Sequence, residues 1–321
     1  MYQHRTYKEQ SNDFDRMCLL VSHLNGLHLC DWSLGRLFEW KYGRWCKESQ
    51  NDSLFEKQAE LFFDGDDELC GIIITENFGD NYYILSKKDG DLMQSMVDFL
   101  LQETNYPKSC IITVPENDEC QKAILERNGF VYSGDADVTY TYKSSDFAQP
   151  NITIPDEFVL TSQKEYLNED EAELLRFYAF NPDGIYDETI DCAYKYARKN
   201  PILVPELSIL LLNEKGEPVS TCTGLWDKHN QFMEVEVVAT KKEYENRGLA
   251  KAVISECIKR GIGKGVKEFS ISAWEEKTRK LYSSFGKAQA VKKVNYKERN
   301  ENGGTDNRTT CFTTIQGSGL R

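Results

Sequence analysis

Residues Glu234 to Val253 read EVEVVATKKEYENRGLAKAV. The apolar alternation from Met233 to Thr240 has the period of a strand, whereas Ala250, Val253, Ile254, Cys257 and Ile258 recur at helical spacing. Gly248 stands where the strand has ended and the helix opens. A strand that feeds such a turn brings consecutive backbone N–H groups and the positive end of a helix dipole to one point, an arrangement suited to a diphosphate. The stretch has neither the strand-G-x-G-x-x-G pattern of a dinucleotide fold nor the G-K-S/T of a P-loop, so nicotinamide and ATP readings lose their main support.

The residues that follow narrow the reading. Glu245 to Ala250 is ENRGLA, Lys267 to Ala273 is the strand-like KEFSISA, and Thr278 to Gly286 is TRKLYSSFG, a short helix closing on glycine. In this order and at these separations the segments resemble the GNAT superfamily of N-acetyltransferases. That family's acyl-CoA loop reads Q/R-x-x-G-x-G/A, and a later helix ends in L-Y-x-x-x-G-F. Gly248, Ala250, Leu281, Tyr282 and Gly286 match; Glu245 stands in place of Gln or Arg, Lys287 in place of Phe, and Glu275 in place of the Asn that usually opens the helix. The resemblance implies an α/β (α+β) fold, a mixed, mostly antiparallel central sheet flanked by helices, with acetyl-CoA as co-substrate and an amine as acceptor.

The chain also repeats itself. Hairpin-like pairs flank the turn at 64–67 in the first half and the turn at 213–216 in the second, and Tyr82 to Lys88 stands where Glu236 to Lys242 stands. Asp118 to Phe130 likewise corresponds to the helix running from Glu275 to Gly286. The expected organisation is two tandem GNAT-like domains: 1–145 degenerate and without a CoA motif, a proline-bearing linker at 146–156, 157–297 binding acetyl-CoA, and a disordered tail at 298–321. At the chemical positions the first half carries Asp89-Gly-Asp91 in place of the glycine turn and Leu125 in place of Tyr282. Acidic groups there repel a phosphate.

The 321 residues, 40% hydrophobic and 12% aromatic, suffice for two packed domains. A net charge of −13 without a basic run argues against nucleic acid as a partner. No signal peptide or membrane-spanning segment is read, and ten scattered cysteines without a Cys-x-x-Cys pair point to a reducing cytoplasm. Cys18, His23, His28 and Cys30 lack zinc spacing and are read as packing residues, so no metal is expected. Trp32, Trp40, Tyr42 and Trp45 form an aromatic-dense stretch, read as core in preference to a ligand box. Oligomeric state is left open.

Under the resemblance, backbone groups of Val238, Ala239 and Thr240 hold the pantetheine arm where their strand splays from its neighbour. The N–H groups of Glu245, Asn246, Arg247, Gly248, Leu249, Ala250 and Lys251 cradle the diphosphate, with the Arg247 and Lys251 side chains as auxiliary charges. Glu234 and Glu236 alternate along one strand and share a face, so either of them, or a water, is the candidate base for the amine. Tyr282 is the candidate acid for the departing thiolate. The acceptor is a primary amine of a small molecule or peptide; the alternative is a non-catalytic acyl-CoA-binding or interaction protein whose site has decayed at Glu245 and at the altered helix ending.

Overall fold

The computed structural model describes residues 2–26, 32–76, 78–102, 110–150 and 153–299. The tail beyond 299 lies outside the described residues, as do His28, Cys30 and Cys311. Elements in the first part of the chain are β1 (Gln3–Thr6), α1 (Asp13–Gly26), α2 (Leu34–Tyr42), α3 (Asp52–Phe55), β2 (Ala59–Phe63), β3 (Leu69–Thr75), β4 (Asn81–Ser86), α4 (Gly90–Gln102), β5 (Ile111–Pro115), α5 (Glu119–Arg127) and β6 (Phe130–Phe147). Then come β7 (Val159–Ser162), α6 (Glu169–Phe180), α7 (Glu188–Ala197), β8 (Leu203–Leu212), β9 (Pro218–Asp227), β10 (Phe232–Thr240), α8 (Leu249–Lys264), β11 (Glu268–Ala273), α9 (Glu276–Tyr282) and β12 (Gly286–Glu298). Residues 146 and 147, the start of the stretch read as a linker, continue β6. No described helix is long and apolar enough to cross a membrane.

Two compact units emerge. The first holds described residues 2–37, 47–138 and 291–299, and the second holds 38–46 and 139–290. In the first, strands run in the order β1-β2-β3-β4-β5-β12-β6, with β4 and β5 parallel and β1 to β4 antiparallel. Its core gathers Met96 and Val97 of α4 with Ile112 and Val114 of β5, and the end of the chain adds Val294 and Tyr296.

The second unit has the order β12-β6-β11-β10-β9-β8-β7, again with one parallel pair, β10 and β11, beside the antiparallel β7 to β10. Helix α8 packs on β8, β9 and β10, and α6 packs on β9 and β10. The helical stripe expected from the sequence is the face that packs: Val253, Ile254, Cys257 and Ile258 are fully buried with Cys222, Met233 and Val235. Gly224 permits this approach, since a Cβ there would lie 2.6 Å from the Met233 sulfur and 3.0 Å from that of Cys257.

Burial leaves this protein with phenols that resist ionisation. Desolvation raises Tyr83 and Tyr142 to about 12, and raises Tyr194 and Tyr282 as well. Each folded-state pKa lies above the unfolded value of about 10. Their contribution to stability is therefore complete below pH ~10 and is lost as pH rises from there through the folded pKa values. Urea midpoints are expected to hold between pH 7 and 9 and to fall steeply between about pH 10 and 12, with phenolate absorbance appearing together with unfolding.

Candidate functional site

Past Thr240 the chain makes one turn of 3-10 helix, Lys242–Tyr244, and then bends through two left-handed residues, Asn246 (φ 60°) and Gly248 (φ 80°), into α8. The first helical bond runs from the Ala252 N–H to the Gly248 carbonyl at 3.1 Å. The N–H groups of Leu249, Ala250 and Lys251 consequently have no backbone acceptor among the described residues. A Cβ built on Gly248 meets nothing within 4 Å, so the glycine is required by its backbone angle, and the space above it is open.

The structure answers the departure at Glu245. Its carboxylate pairs with Lys277 at 2.6 Å, which offsets the repulsion it would offer an anion bound nearby. Arg247, expected as an auxiliary charge, is engaged elsewhere: it pairs with Glu157 and lies 4.8 Å from the Phe158 ring centre. Lys251 forms no ion pair among the described residues. Because the Glu245 pair is solvent-exposed, removing Lys277 should weaken acetyl-CoA affinity only about three- to fivefold, an effect that Glu245→Gln reverses and 0.5 M salt diminishes. Calorimetric titration of Lys277→Ala and of the double variant checks this.

Strands β10 and β11 pair only at Phe232↔Glu268, Met233↔Phe269 and Glu234↔Ser270. Beyond Glu234, β10 continues to Thr240 and β11 to Ala273 without a ladder between them, while Val238, Ala239 and Thr240 still pair on their other side with Cys222, Thr221 and Ser220. A bulge accompanies the parting: from Val235 to Val238 on β10 the partners move only from Gly224 to Cys222 on β9. An inserted residue of this kind re-aims the side chains around it.

Of the two carboxylates on β10, Glu236 lines a cleft together with Val237, Thr223, Leu225 and Arg176. Glu234 sits earlier, across from Leu225 and Ser270 where the parallel ladder is intact, and is not part of the lining. Tyr282 ends α9, is 8% exposed, and its backbone carbonyl accepts from the Tyr142 hydroxyl. Its own hydroxyl makes no hydrogen bond among the described residues. Burial first, then the negative charge of Glu236 and the neighbouring Cys222, raise its pKa. The phenol thus stays protonated at neutral pH.

Sequence reasoning did not find Arg176, whose Nη1 meets Glu173 at 3.3 Å and whose Nη2 donates to Thr223 Oγ1 at 3.0 Å. Nothing in the α6 pattern separates it from a surface arginine. The aromatic stretch is split: Trp32 packs in the first unit against Tyr83 (5.2 Å between ring centres), whereas Trp45 reaches Tyr194 in the second at 4.6 Å.

The corresponding place in the first unit is built differently. β4 and β5 also part early, pairing only at Asn81↔Ile111 and Tyr82↔Ile112. At the start of α4, however, Asp89 Oδ1 accepts the Leu92 N–H at 2.9 Å, and backbone hydrogen bonds lower its pKa. The chain's own carboxylate fills the helix N-terminus, and fully buried Leu125 stands where the second unit has Tyr282.

Residues 168–286 match the model of the Acetyltransferase (GNAT) family. No curated protein matches the sequence. Among solved structures, a GCN5-related N-acetyltransferase from Sphaerobacter thermophilus is similar, with 16% identity, 92% of this chain and 95% of that one covered, and a TM-score of 0.58. A tandem GNAT protein from the clavulanic acid biosynthesis pathway shares 8% identity over 92% and 98% of the two chains, with a TM-score of 0.61. A GNAT-family acetyltransferase from Colwellia psychrerythraea shares 12% identity over 92% and 100%, with a TM-score of 0.55. At these identities the structural likeness speaks for the fold; together with the family match, it shows that residues 168–286 form a domain of the GNAT acetyltransferase family, whose members generally use acetyl-CoA, and that the chain has a tandem-GNAT fold.

Proposed function

We propose that the second unit transfers an acetyl group from acetyl-CoA to a primary amine. The observation that carries this reading is the coincidence, along one strand, of an open β10–β11 parting and an uncapped α8 N-terminus reached through a left-handed glycine. The residues fit the co-substrate. The N–H groups leading into α8, from Glu245 to Lys251, are the candidates for its diphosphate, and Val238, Ala239 and Thr240 present the backbone for its pantetheine arm. Acetyl-CoA supplies a thioester.

In this reading Glu236, facing the cleft, removes a proton from the incoming ammonium, directly or through water, and the freed nitrogen forms the new C–N bond as the C–S bond breaks. Tyr282 donates its proton to the departing sulfur, which leaves as a thiol, and the second proton that the nitrogen loses as the amide forms restores the phenol. Glu234 remains the second candidate base, two residues along the same strand. The first half, read as 1–145, supports the fold without binding CoA, because Asp89 already occupies the place a phosphate would take. The working half is read as 157–297.

The test is titration of the purified protein with acetyl-CoA by calorimetry, followed by thiol release in the presence of amines. Micromolar binding with amine-dependent thiol release supports the proposal. Absence of binding overturns it.

A further inference from the structure

Helix α7 turns one face to the cleft that Glu236 lines. Tyr194, Ala197 and Asn200 follow one another at three-residue spacing, and all three are in the lining, within the second unit. Bonds from the Lys199 N–H to the Tyr196 carbonyl and from the Asn200 N–H to the Ala197 carbonyl, both 3.0 Å, carry that face past the end of the helix. Ala197, with a single methyl group, leaves room between its two polar neighbours.

Those neighbours are two hydrogen-bond donors that the protein leaves unused. Tyr194 is 2% exposed and Asn200 7%. The Tyr194 ring is fixed by packing, 4.6 Å from Trp45 and 6.2 Å from Tyr186 between ring centres, while its hydroxyl makes no hydrogen bond among the described residues. Burial first, then the charge of Glu173, raise its pKa, so the phenol keeps its proton at neutral pH. Asn200 is oriented by its other end: Oδ1 accepts the Ile202 N–H at 3.1 Å, and Nδ2 has no acceptor among the described residues. Neither the hydroxyl nor Nδ2 is sealed from solvent, so both open onto the cleft that their residues line. Donors in so buried a place are ordinarily paired, and an oxygen supplied by a ligand would pair both. The cavity volume is about 60 Å³, room for only a few non-hydrogen atoms. An oxygen that meets the donors must therefore lie within a few bonds of any nitrogen that meets Glu236.

We infer that Tyr194 and Asn200 hold the carbonyl oxygen of an α-aminoacyl group, and so position an acceptor whose amine-bearing carbon carries a carboxylate or an amide. This deepens the proposed transfer at the same site and rests on it for turnover, although not for binding. Three probes isolate the feature: n-butylamine, norvaline, which adds a carboxylate on the carbon bearing the nitrogen, and norvalinamide, which adds an amide there. Because the amines differ in basicity, the readout is the change on mutation in the ratio of kcat/KM for each aminoacyl probe to that for n-butylamine. Tyr194→Phe removes only the hydroxyl, and Asn200→Asp keeps the acceptor for Ile202 while replacing the N–H donors. Each should lower the ratio about fivefold or more for at least one aminoacyl probe, mainly through KM, with melting temperatures close to wild type. Loss confined to norvaline marks a free amino acid as the acceptor; loss with norvalinamide marks a capped or peptide-linked one.

A second arm reads binding without turnover, by NMR of the Asn200 side-chain amide, identified by its loss in Asn200→Asp, as norvaline or norvalinamide is added. Saturable shifts that Tyr194→Phe weakens support the inference. If they occur but no amine gives thiol release, the cleft assignment stands and the transferase reading falls. Ratios unchanged in both folded variants, or no saturable shift with either aminoacyl probe, overturn the inference.

Discussion

Gly248→Asp is expected to weaken acetyl-CoA binding about 100-fold or more while leaving the protein folded. The position has φ 80° with open space around a built Cβ, so the substitution meets no clash. Aspartate tolerates the left-handed region better than most residues, and the strain costs on the order of 1–2 kcal/mol. Its carboxylate, by contrast, would stand beside the uncapped N–H groups of Leu249, Ala250 and Lys251 and against the bound diphosphate. Unit charges 4 Å apart near a protein surface interact by about 4 kcal/mol, and about 2.7 kcal/mol already corresponds to 100-fold. The first unit shows the same chemistry in place, with Asp89 accepting the Leu92 N–H at the start of α4. Calorimetry of wild type, Gly248→Ala and Gly248→Asp, with melting curves alongside, separates strain from charge: alanine should lose only a few-fold. Wild-type affinity in the aspartate variant would remove this loop from the site.

For Tyr282→Phe the expected loss is in kcat, about 10²-fold or more, with acetyl-CoA affinity within about twofold of wild type. The phenol makes no hydrogen bond within the described protein, and the contact from Tyr142 goes to the backbone carbonyl, which phenylalanine retains. Stability should therefore change little. The pH profile supplies the sign. Burial, Glu236 and Cys222 raise the folded-state pKa, so the proton is in place throughout neutral and mildly alkaline pH. The wild-type rate is expected to show no alkaline loss from this group below pH ~10. A variant that keeps more than a third of the wild-type kcat would exclude Tyr282 as the acid.

Much of the site could be read along the chain because its elements obey local rules. The alternation of 233–240 appears as β10, and the helical stripe of α8 is the buried one. The left-handed bend falls on Gly248 and Asn246, residue types that accept it. Both hairpins, β2–β3 and β8–β9, form around the turns expected for them. These features depend on periods of two and 3.6 residues and on turn chemistry, each contained within a few neighbouring residues.

Which carboxylate faces the cleft depends on a bulge between Val235 and Val238, a two-strand register that no single-strand pattern records. The neutralisation of Glu245 comes from Lys277, 32 residues later, and the cleft wall from the 38–46 segment. The last strand spends its residues Lys293 to Lys297 pairing with β5 of the first unit, where Lys293 also meets Asp137 in a buried pair at 3.0 Å. By itself, then, the sequence determined the strand–turn–helix with its left-handed glycine, the two hairpins and the buried helical face. Tertiary structure alone decided which distant segments share a unit, which charges cancel and which carboxylate lines the cleft. Periodicity encodes the face a residue buries, whereas the identity of what it is buried against is set by packing across the whole chain.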